Sequence, residues 1–482
     1  FGTGVSFGVH SDCLKNLVRG ITERVLYVRR GEGLDKPPRP VAGVWNRLSG
    51  IRQRLLRKTR STPVVDRDDY PGLYNGRKRT IYQSAVDSLK TRGLTVRDSF
   101  VSVFIKAEKV NFTAKIDPAP RVIQPRSPRY NVEVGRYLKL FEKELVRGFA
   151  RAYRYDVILK GMNADQVGQA LAANWGTFQN PVAFGLDASR FDQHVSREAL
   201  AWEHSVYNSV FRSKELARLL KWQLKNRGIG RSEGYRVDYT VDGCRMSGDI
   251  NTGMGNCLIM SSIVLAYIEH KGLMARLSNN GDDCVVMCEA ADLPRFDDLG
   301  KWFLDFGFTL TREPPCYHLE EVEFCQFHPV QLSTGWRMVR NPLVAMSKDC
   351  VSLVGWSTDE EVRAWAHAVG TCGLALCAGV PVWEQWYGRL VELGRVGTQG
   401  LQERVNDCGA AYWARGCAGA VVDDVARYSF WRAFGILPDL QMALESEYAA
   451  AATLSEVQPL MCHSQARIID QQNELSQVTP IW

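Results

Sequence analysis

Among the thirteen cysteines of this chain no two stand in a Cys-x-x-Cys spacing, and Cys284/Cys288 and Cys372/Cys377 lack histidine partners at ligand spacing. An odd number of scattered thiols argues against a disulfide framework and against a structural zinc site. Reduced, mostly buried thiols in a cytosolic setting fit instead. No secretory signal is visible, and the most apolar stretch, Ala364 to Trp383, carries His367, three glycines and Pro381. It reads as a buried helix and loop, not a membrane span. Repeats and low-complexity tracts are also missing, which excludes a solenoid or an array. The chain begins at Phe1 and not at a methionine, so it is expected to be part of a longer product.

What is present is ample for globular folding. A length of 482 residues exceeds the usual single domain, so two or three lobes are expected, and 45% hydrophobic with 10% aromatic residues supplies a sizeable core. The net charge of +7 is unevenly placed. Basic residues far outnumber acidic ones from Arg19 to Arg60, and Arg77-Lys78-Arg79 continues the bias. The C-terminal part leans acidic, with Asp423, Asp424, Asp439, Glu445, Glu447 and Glu456. A basic front suggests a polyanionic partner, the alternative being a solvated basic face.

The pattern is organised around Asn279-Asn280-Gly281-Asp282-Asp283-Cys284-Val285-Val286. Asn280-Gly281 signals a tight hairpin, because both residues tolerate positive φ. Two carboxylates about 4 Å apart repel by roughly 4 kcal/mol at an effective dielectric near 20. A fold that presents such a pair at a hairpin tip usually holds a hard divalent cation there; a solvated surface turn is the plainer reading of the tetrapeptide alone.

Other segments qualify that choice. Val182 to Asp187 reads as a buried strand ending in a carboxylate, with Asp192 five residues on, at the start of a helical turn; helix capping by Asp187 is an equally good reading. Ser247-Gly248-Asp249-Ile250-Asn251-Thr252-Gly253-Met254-Gly255-Asn256 is a small-residue loop leading into an apolar helix from Leu258 to Ile268. Thr252 and Asn256 share a face there, and small polar groups beside glycines can read a sugar edge. The section from Lys106 to Arg129 is basic and broken by prolines. Its cations, Lys106, Lys109, Lys115, Arg121, Arg126 and Arg129, either line a phosphate channel or sit on solvated loops. A helix is expected from Tyr82 to about Arg92 and a strand from Phe100 to Lys106. An amphipathic helix is expected from Leu293 to Phe306, a strand over Val322 to Phe327, and a mostly helical tail from Val344. Residues 1–60, with Lys36-Pro37-Pro38-Arg39-Pro40, read as an extended strap.

Taken in order, these segments resemble motifs F, A, B, C, D and E of viral RNA-dependent RNA polymerases. Lys106-Ala107-Glu108-Lys109, Pro120 to Tyr130, Ser247 to Asn256 and Phe324-Cys325-Gln326 resemble replicases of the tombusvirus family, carmovirus- and umbravirus-like members included. The resemblance is dense from Phe100 to Gln331 and weak beyond Pro342. It implies an α+β, right-hand polymerase fold, closed by N-terminal fingertips. Fingers would span 1–181 and 196–245, palm segments 182–195 (motif A) and 246–335 (motifs B to E), and thumb and C-terminal region 336–482.

The same resemblance implies roles. Asp187 and Asp282 would be the main ligands of two Mg²⁺ or Mn²⁺ ions, Asp283 a peripheral one, and Leu186 a source of a backbone carbonyl. Asp192, Ser247 and Asn256 would recognise the ribose 2′-hydroxyl, supported by Thr252. Arg121 with Lys109 would grip the triphosphate, while Lys106 and Arg126 line its approach, and Phe324-Cys325-Gln326 would support the primer end. A general acid near the end of the motif D helix is left open among Lys301, Arg312 and His318. Implied partners are RNA template and nascent RNA, ribonucleoside triphosphates, a membrane-anchored viral auxiliary replication protein and host factors. The implied place is the host cytoplasm, at membrane-associated replication complexes. Rival readings are a reverse transcriptase or terminal nucleotidyl transferase, and an inactive RNA-binding scaffold on the same fold.

Overall fold

A computed structural model describes residues 5–31, 33–353, 355–356, 358–398, 400, 410–457, 467–469 and 475–477. Its architecture is α+β, and the sheet that carries the carboxylates is antiparallel throughout. In spatial order it consists of Ala275–Asn280, Asp283–Glu289, Pro181–Ala188 and Leu310–Arg312. The strand Pro181–Ala188 pairs Leu186 with Cys284 on one side and Asp187 with Thr311 on the other. Ile158 adds a short parallel bridge to Asn279 at the outer edge.

Val182, Phe184, Leu186, Cys284, Val286 and Cys288 share one core with the long helix Thr252–His270. Ala183, Val285 and Met287 belong to a second core with Leu171, Val330, Met338 and Trp383. Burial on both faces explains why Cys284 to Cys288 is an unbroken apolar run and not an alternating one. The Thr252–His270 helix is the one helix among the described residues long and apolar enough to cross a membrane. It is buried continuously from Met254 to Ile268, which accounts for a composition apolar on every side.

A second four-stranded sheet is ordered Val122–Ile123, Val101–Ile105, Lys225–Ser232 and Tyr235–Asp242. Val101, Val103 and Ile105 alternate with exposed neighbours, and their buried face packs on Leu17 and Ile21 of the helix Leu14–Ile21. The tail is helical as expected over Asp359–Cys377, Trp383–Leu393, Asp424–Phe434 and Pro438–Ala450, and Trp383 and Trp386 are fully buried core.

Three expectations need correction. The front is not one extended strap: it holds the helices Leu14–Ile21 and Ser49–Lys58. In the first, Leu17 and Ile21 lie one turn apart and are buried together. The proline segment packs over Gly307. That glycine has a φ of +87°, and the Pro38 carbonyl oxygen lies 3.0 Å from where a Cβ would stand, so a side chain has no room there. The helix expected over Leu293 to Phe306 is divided into a 3₁₀ stretch Ala290–Phe296, containing Pro294, and a helix Leu299–Asp305. Proline has no N–H to continue an i→i−4 ladder. The strand expected over Val322 to Phe327 is instead a tight turn leading into the strand Phe327–Leu332. Cys325 and Gln326, at φ 56° and 65°, both adopt the left-handed conformation that such a turn needs.

Candidate active site

Asp187 is the penultimate residue of its strand, and Asp283 opens the neighbouring one. Since Leu186 pairs with Cys284, one further step along the ladder sets Asp187 across from Asp283. Opposed residues in such a ladder have Cα atoms about 4.5–5.5 Å apart. Gly281, at φ +80°, turns the hairpin and leaves Asp282 at its tip. The turn is held from beneath: the Gly281 N–H donates to Cys257 Sγ at 3.1 Å, and the buried Asn279 amide donates to the Gly281 carbonyl at 2.8 Å. Three aspartates, two on neighbouring strands and one at the hairpin tip, thus lie at one end of the sheet.

All three residues keep surface in contact with solvent, although the Asp283 carboxyl is itself partly enclosed, and among the described residues no lysine or arginine forms an ion pair with any of them. Asp283 lies beside the Cys325 turn, and its carboxyl is pushed up to about 6, by burial first and by Asp282 second. Glu313 is raised as well, by burial, Glu323 and Asp187. Uncompensated carboxylates of this kind fit hard divalent cations. Among the described residues, no three His, Cys, Asp or Glu side chains are gathered so as to hold a metal ion by themselves. Mg²⁺ is commonly held by one or two carboxylates and completed by water and substrate phosphate, so a full set of protein ligands is not required of a site for it.

Leu186 does not suit the carbonyl role. Glu313 N–H donates to the Gly185 carbonyl and Ser189 N–H to the Thr309 carbonyl, so odd-numbered residues face the Leu310–Arg312 edge. Alternation then directs the Leu186 carbonyl to Cys284, inside the ladder.

Asp192 is brought back toward the strand by Arg190, which sits in the left-handed region at φ 47° and starts the short helix Phe191–His194. The helical turn was expected here, but no glycine or asparagine marks the left-handed residue that starts it. Asn256 Nδ2 donates to Asp192 Oδ1 at 2.7 Å. Burial pushes the Asp192 carboxyl up to about 6, against the lowering effect of Asn256. The other two members of the expected network look elsewhere. Ser247 Oγ accepts from the Gln124 N–H at 3.0 Å, and Thr252 Oγ1 donates to the Met246 carbonyl at 2.7 Å. Both brace the loop without touching Asp192 or Asn256.

The basic section divides in a similar way. Arg121 is largely exposed and shares Glu108 with Lys106, whose Nζ lies 2.6 Å from that carboxylate. Lys109 Nζ donates to the Lys348 carbonyl at 2.7 Å, which ties this section to the helix Pro342–Asp349. Arg126 is a correction: it is 3% exposed, paired with Asp249, and donates to Ser99 O at 2.5 Å and Asn226 Oδ1 at 2.6 Å. A guanidinium with its donors used up inside the core does not line a phosphate path. Arg24, missed in the sequence, belongs to the cationic cluster instead. Burial, then Arg190 and Arg121, bring its guanidinium down to about 10.

Cys325 accepts from Asn280 Nδ2 at 3.4 Å, and Phe324 is buried, so the Phe324-Cys325-Gln326 turn abuts the carboxylate hairpin. Of the candidates for a general acid, Lys301 and His318 are exposed, and Arg312 pairs with Asp297 at 3.0 Å.

A family model described as viral RNA dependent RNA polymerase matches residues 1–456. The RNA-directed RNA polymerase of Turnip crinkle virus is 46% identical over 465 residues, covering 95% of this chain and 60% of that protein. That of Melon necrotic spot virus is 44% identical over 458 residues, covering 93% and 58%, and that of Tomato bushy stunt virus (strain Cherry) is 45% identical over 447 residues, covering 91% and 54%. The chain therefore spans little more than half the length of these relatives. Since the matched region contains every segment that shapes the carboxylate end of the sheet, this chain belongs to the viral RNA-dependent RNA polymerase family, in the company of tombusvirus- and carmovirus-type polymerases.

Proposed function

We propose that this chain joins ribonucleoside triphosphates into RNA along an RNA template, by nucleotidyl transfer assisted by two metal ions, and so replicates a positive-strand viral genome. The observation that supports the reading is the placement of Asp187, Asp282 and Asp283 at one end of the sheet, with no cation of the described residues paired to them. Asp187 and Asp282, with Asp283 beside them, would hold two Mg²⁺ or Mn²⁺ ions, which when bound activate a 3′-hydroxyl and neutralise the leaving pyrophosphate. The protein's own share is positioning. Asp192 and Asn256 offer an acceptor and a donor side by side, the complement of a 2′-hydroxyl. Arg121 and Lys106 exchange Glu108 for the triphosphate, and the Cys325 turn steadies the growing end next to the hairpin.

The right-hand arrangement belongs to this proposal. Fingers are assigned to 1–181 and 196–245, palm to 182–195 and 246–335, and thumb to 336–482. What supports it is the shared core of Leu17, Val101, Val122 and Tyr239, which joins the two finger segments. RNA strands, an anchored viral partner and host factors, and a membrane-associated cytoplasmic site are proposed with it.

The test offers the purified chain a short RNA template, the four labelled ribonucleotides and Mg²⁺ or Mn²⁺, with and without a primer. Template-dependent product is expected, and Asp282→Ala is expected to abolish it while RNA binding stays near normal. Product retained by Asp282→Ala would remove the metal assignment. Absence of product under every condition, with the chain folded, would overturn the reading.

A further inference from the structure

Asn256 can face Asp192 in two ways, with its amide nitrogen or its carbonyl oxygen, and only the first makes a hydrogen bond to a carboxylate. The same choice is enforced from behind. Arg245 Nε lies 3.0 Å from Asn256 Oδ1, and a guanidinium donates but never accepts. Whatever faces Arg245 must therefore be the oxygen, which leaves Nδ2 toward Asp192. Arg245 also donates its backbone N–H to the Asp192 carbonyl at 2.8 Å, so one residue is bonded to both members of the pair.

Arg245 is itself fixed. Its guanidinium pairs with Glu203 on the helix Arg197–Phe211, and both side chains are 0% exposed. Tyr207 Oη and Asn251 Nδ2 each donate to Glu203 Oε1 at 2.8 Å, and Gln223 Nε2 donates to Asn251 Oδ1 at 3.0 Å. A methyl group at Gly255 would collide with Arg245 Nη2 and Glu203 Oε1, so this helix position is kept bare beside the pair. None of these groups reaches solvent or another function described above.

We propose that the buried Arg245–Glu203 pair is the positioning device for ribose selection, holding the Asn256 amide in the orientation that presents a donor beside the Asp192 acceptor. This rests on the reading of Asp192 and Asn256 as the 2′-hydroxyl site. A donor and an acceptor together suit a hydroxyl, which both gives and takes a hydrogen bond. Freed from Arg245, the amide is held by Asp192 alone and samples the orientation that turns its oxygen to the incoming sugar, and the site then loses part of its match to a hydroxyl without losing any residue that touches it.

The experiment measures kcat and KM for a ribonucleotide and its 2′-deoxy analogue in four proteins, with melting temperature and RNA binding recorded for each. The proteins are the parent chain, Asn256→Ala, the double variant Arg245→Met/Glu203→Gln, and Arg245→Lys. The double variant removes both buried charges at once and so leaves no unpaired ion. Arg245→Lys keeps the charge but has no planar fork to reach both partners. In either, the ribo-to-deoxy preference is expected to fall by about 10- to 100-fold, a scale typical of slight misplacement, mostly through slower use of the ribonucleotide. A purely architectural role would lower the melting temperature and slow both nucleotides alike. If the double variant does not fold, Arg245→Lys decides. Unchanged preference in folded Arg245 variants, with preference lost in Asn256→Ala, overturns the positioning role alone. Unchanged preference in Asn256→Ala overturns the ribose site and this inference with it.

Discussion

At the scale of single residues, the cations show how little identity says about destination. Arg121 and Arg126 lie in one short basic segment, yet the first is open to solvent and the second has its donors spent on Asp249, Ser99 and Asn226. Removing one partner of a buried pair leaves the other charge desolvated and alone. Arg126→Met is therefore expected to cost about 3–5 kcal/mol of stability, measured by denaturant unfolding. It should leave the KM for nucleotides unchanged wherever the protein remains folded. Normal stability with a raised KM would return Arg126 to the phosphate path. Ser247 and Thr252 carry the same lesson, since their hydroxyls are consumed by Gln124 and Met246 within the loop.

At the scale of elements, the carboxylate hairpin was legible because its rules are local. Gly281 supplies the positive φ, and the apolar run after Asp283 satisfies two cores. The neighbouring turn was not legible, because Cys325 and Gln326 are poor residues for the left-handed backbone they adopt. Left-handed backbone costs a residue with a side chain roughly 1–2 kcal/mol, part of which glycine returns through the freedom of its unfolded chain. Gln326→Gly is thus expected to stabilise the fold by about 0.5–1 kcal/mol, seen as a higher urea midpoint. A lower midpoint would mean that the Gln326 side chain contributes contacts outweighing the backbone strain.

At the scale of the whole molecule, buried titratable groups couple the site to the stability of the fold. His204, beside Glu203, Arg245, Gln223 and Asp249, is 4% exposed, and burial brings it down to about 4 from an ordinary value of 6.5. An unfolded chain takes up that proton at higher pH than the folded one, so this contribution is full above pH 6.5 and is lost as pH falls toward 4. Over the whole interval it amounts to roughly 3 kcal/mol. Asp192 and Asp283, raised to about 6, act oppositely, since protonation on acidification relieves their folded state. The informative quantity is then a difference: relative to the parent chain, His204→Gln should gain stability steadily from pH 6.5 to 4. Parallel stability curves would show that His204 does not titrate in this range.

Sequence alone determined the strand that ends at Asp187, the carboxylate hairpin and the long apolar helix, and the order in which the acidic, small and basic motifs follow one another. Those properties depend on neighbours within a few residues: apolar period, a glycine at a turn, a strand ending in aspartate. Only the tertiary structure decided where each side chain is used. Arg126 meets Asp249 across 123 positions and Arg245 meets Glu203 across 42. A charged group goes wherever packing places an opposite charge and keeps water out, and spacing along the chain carries no record of that.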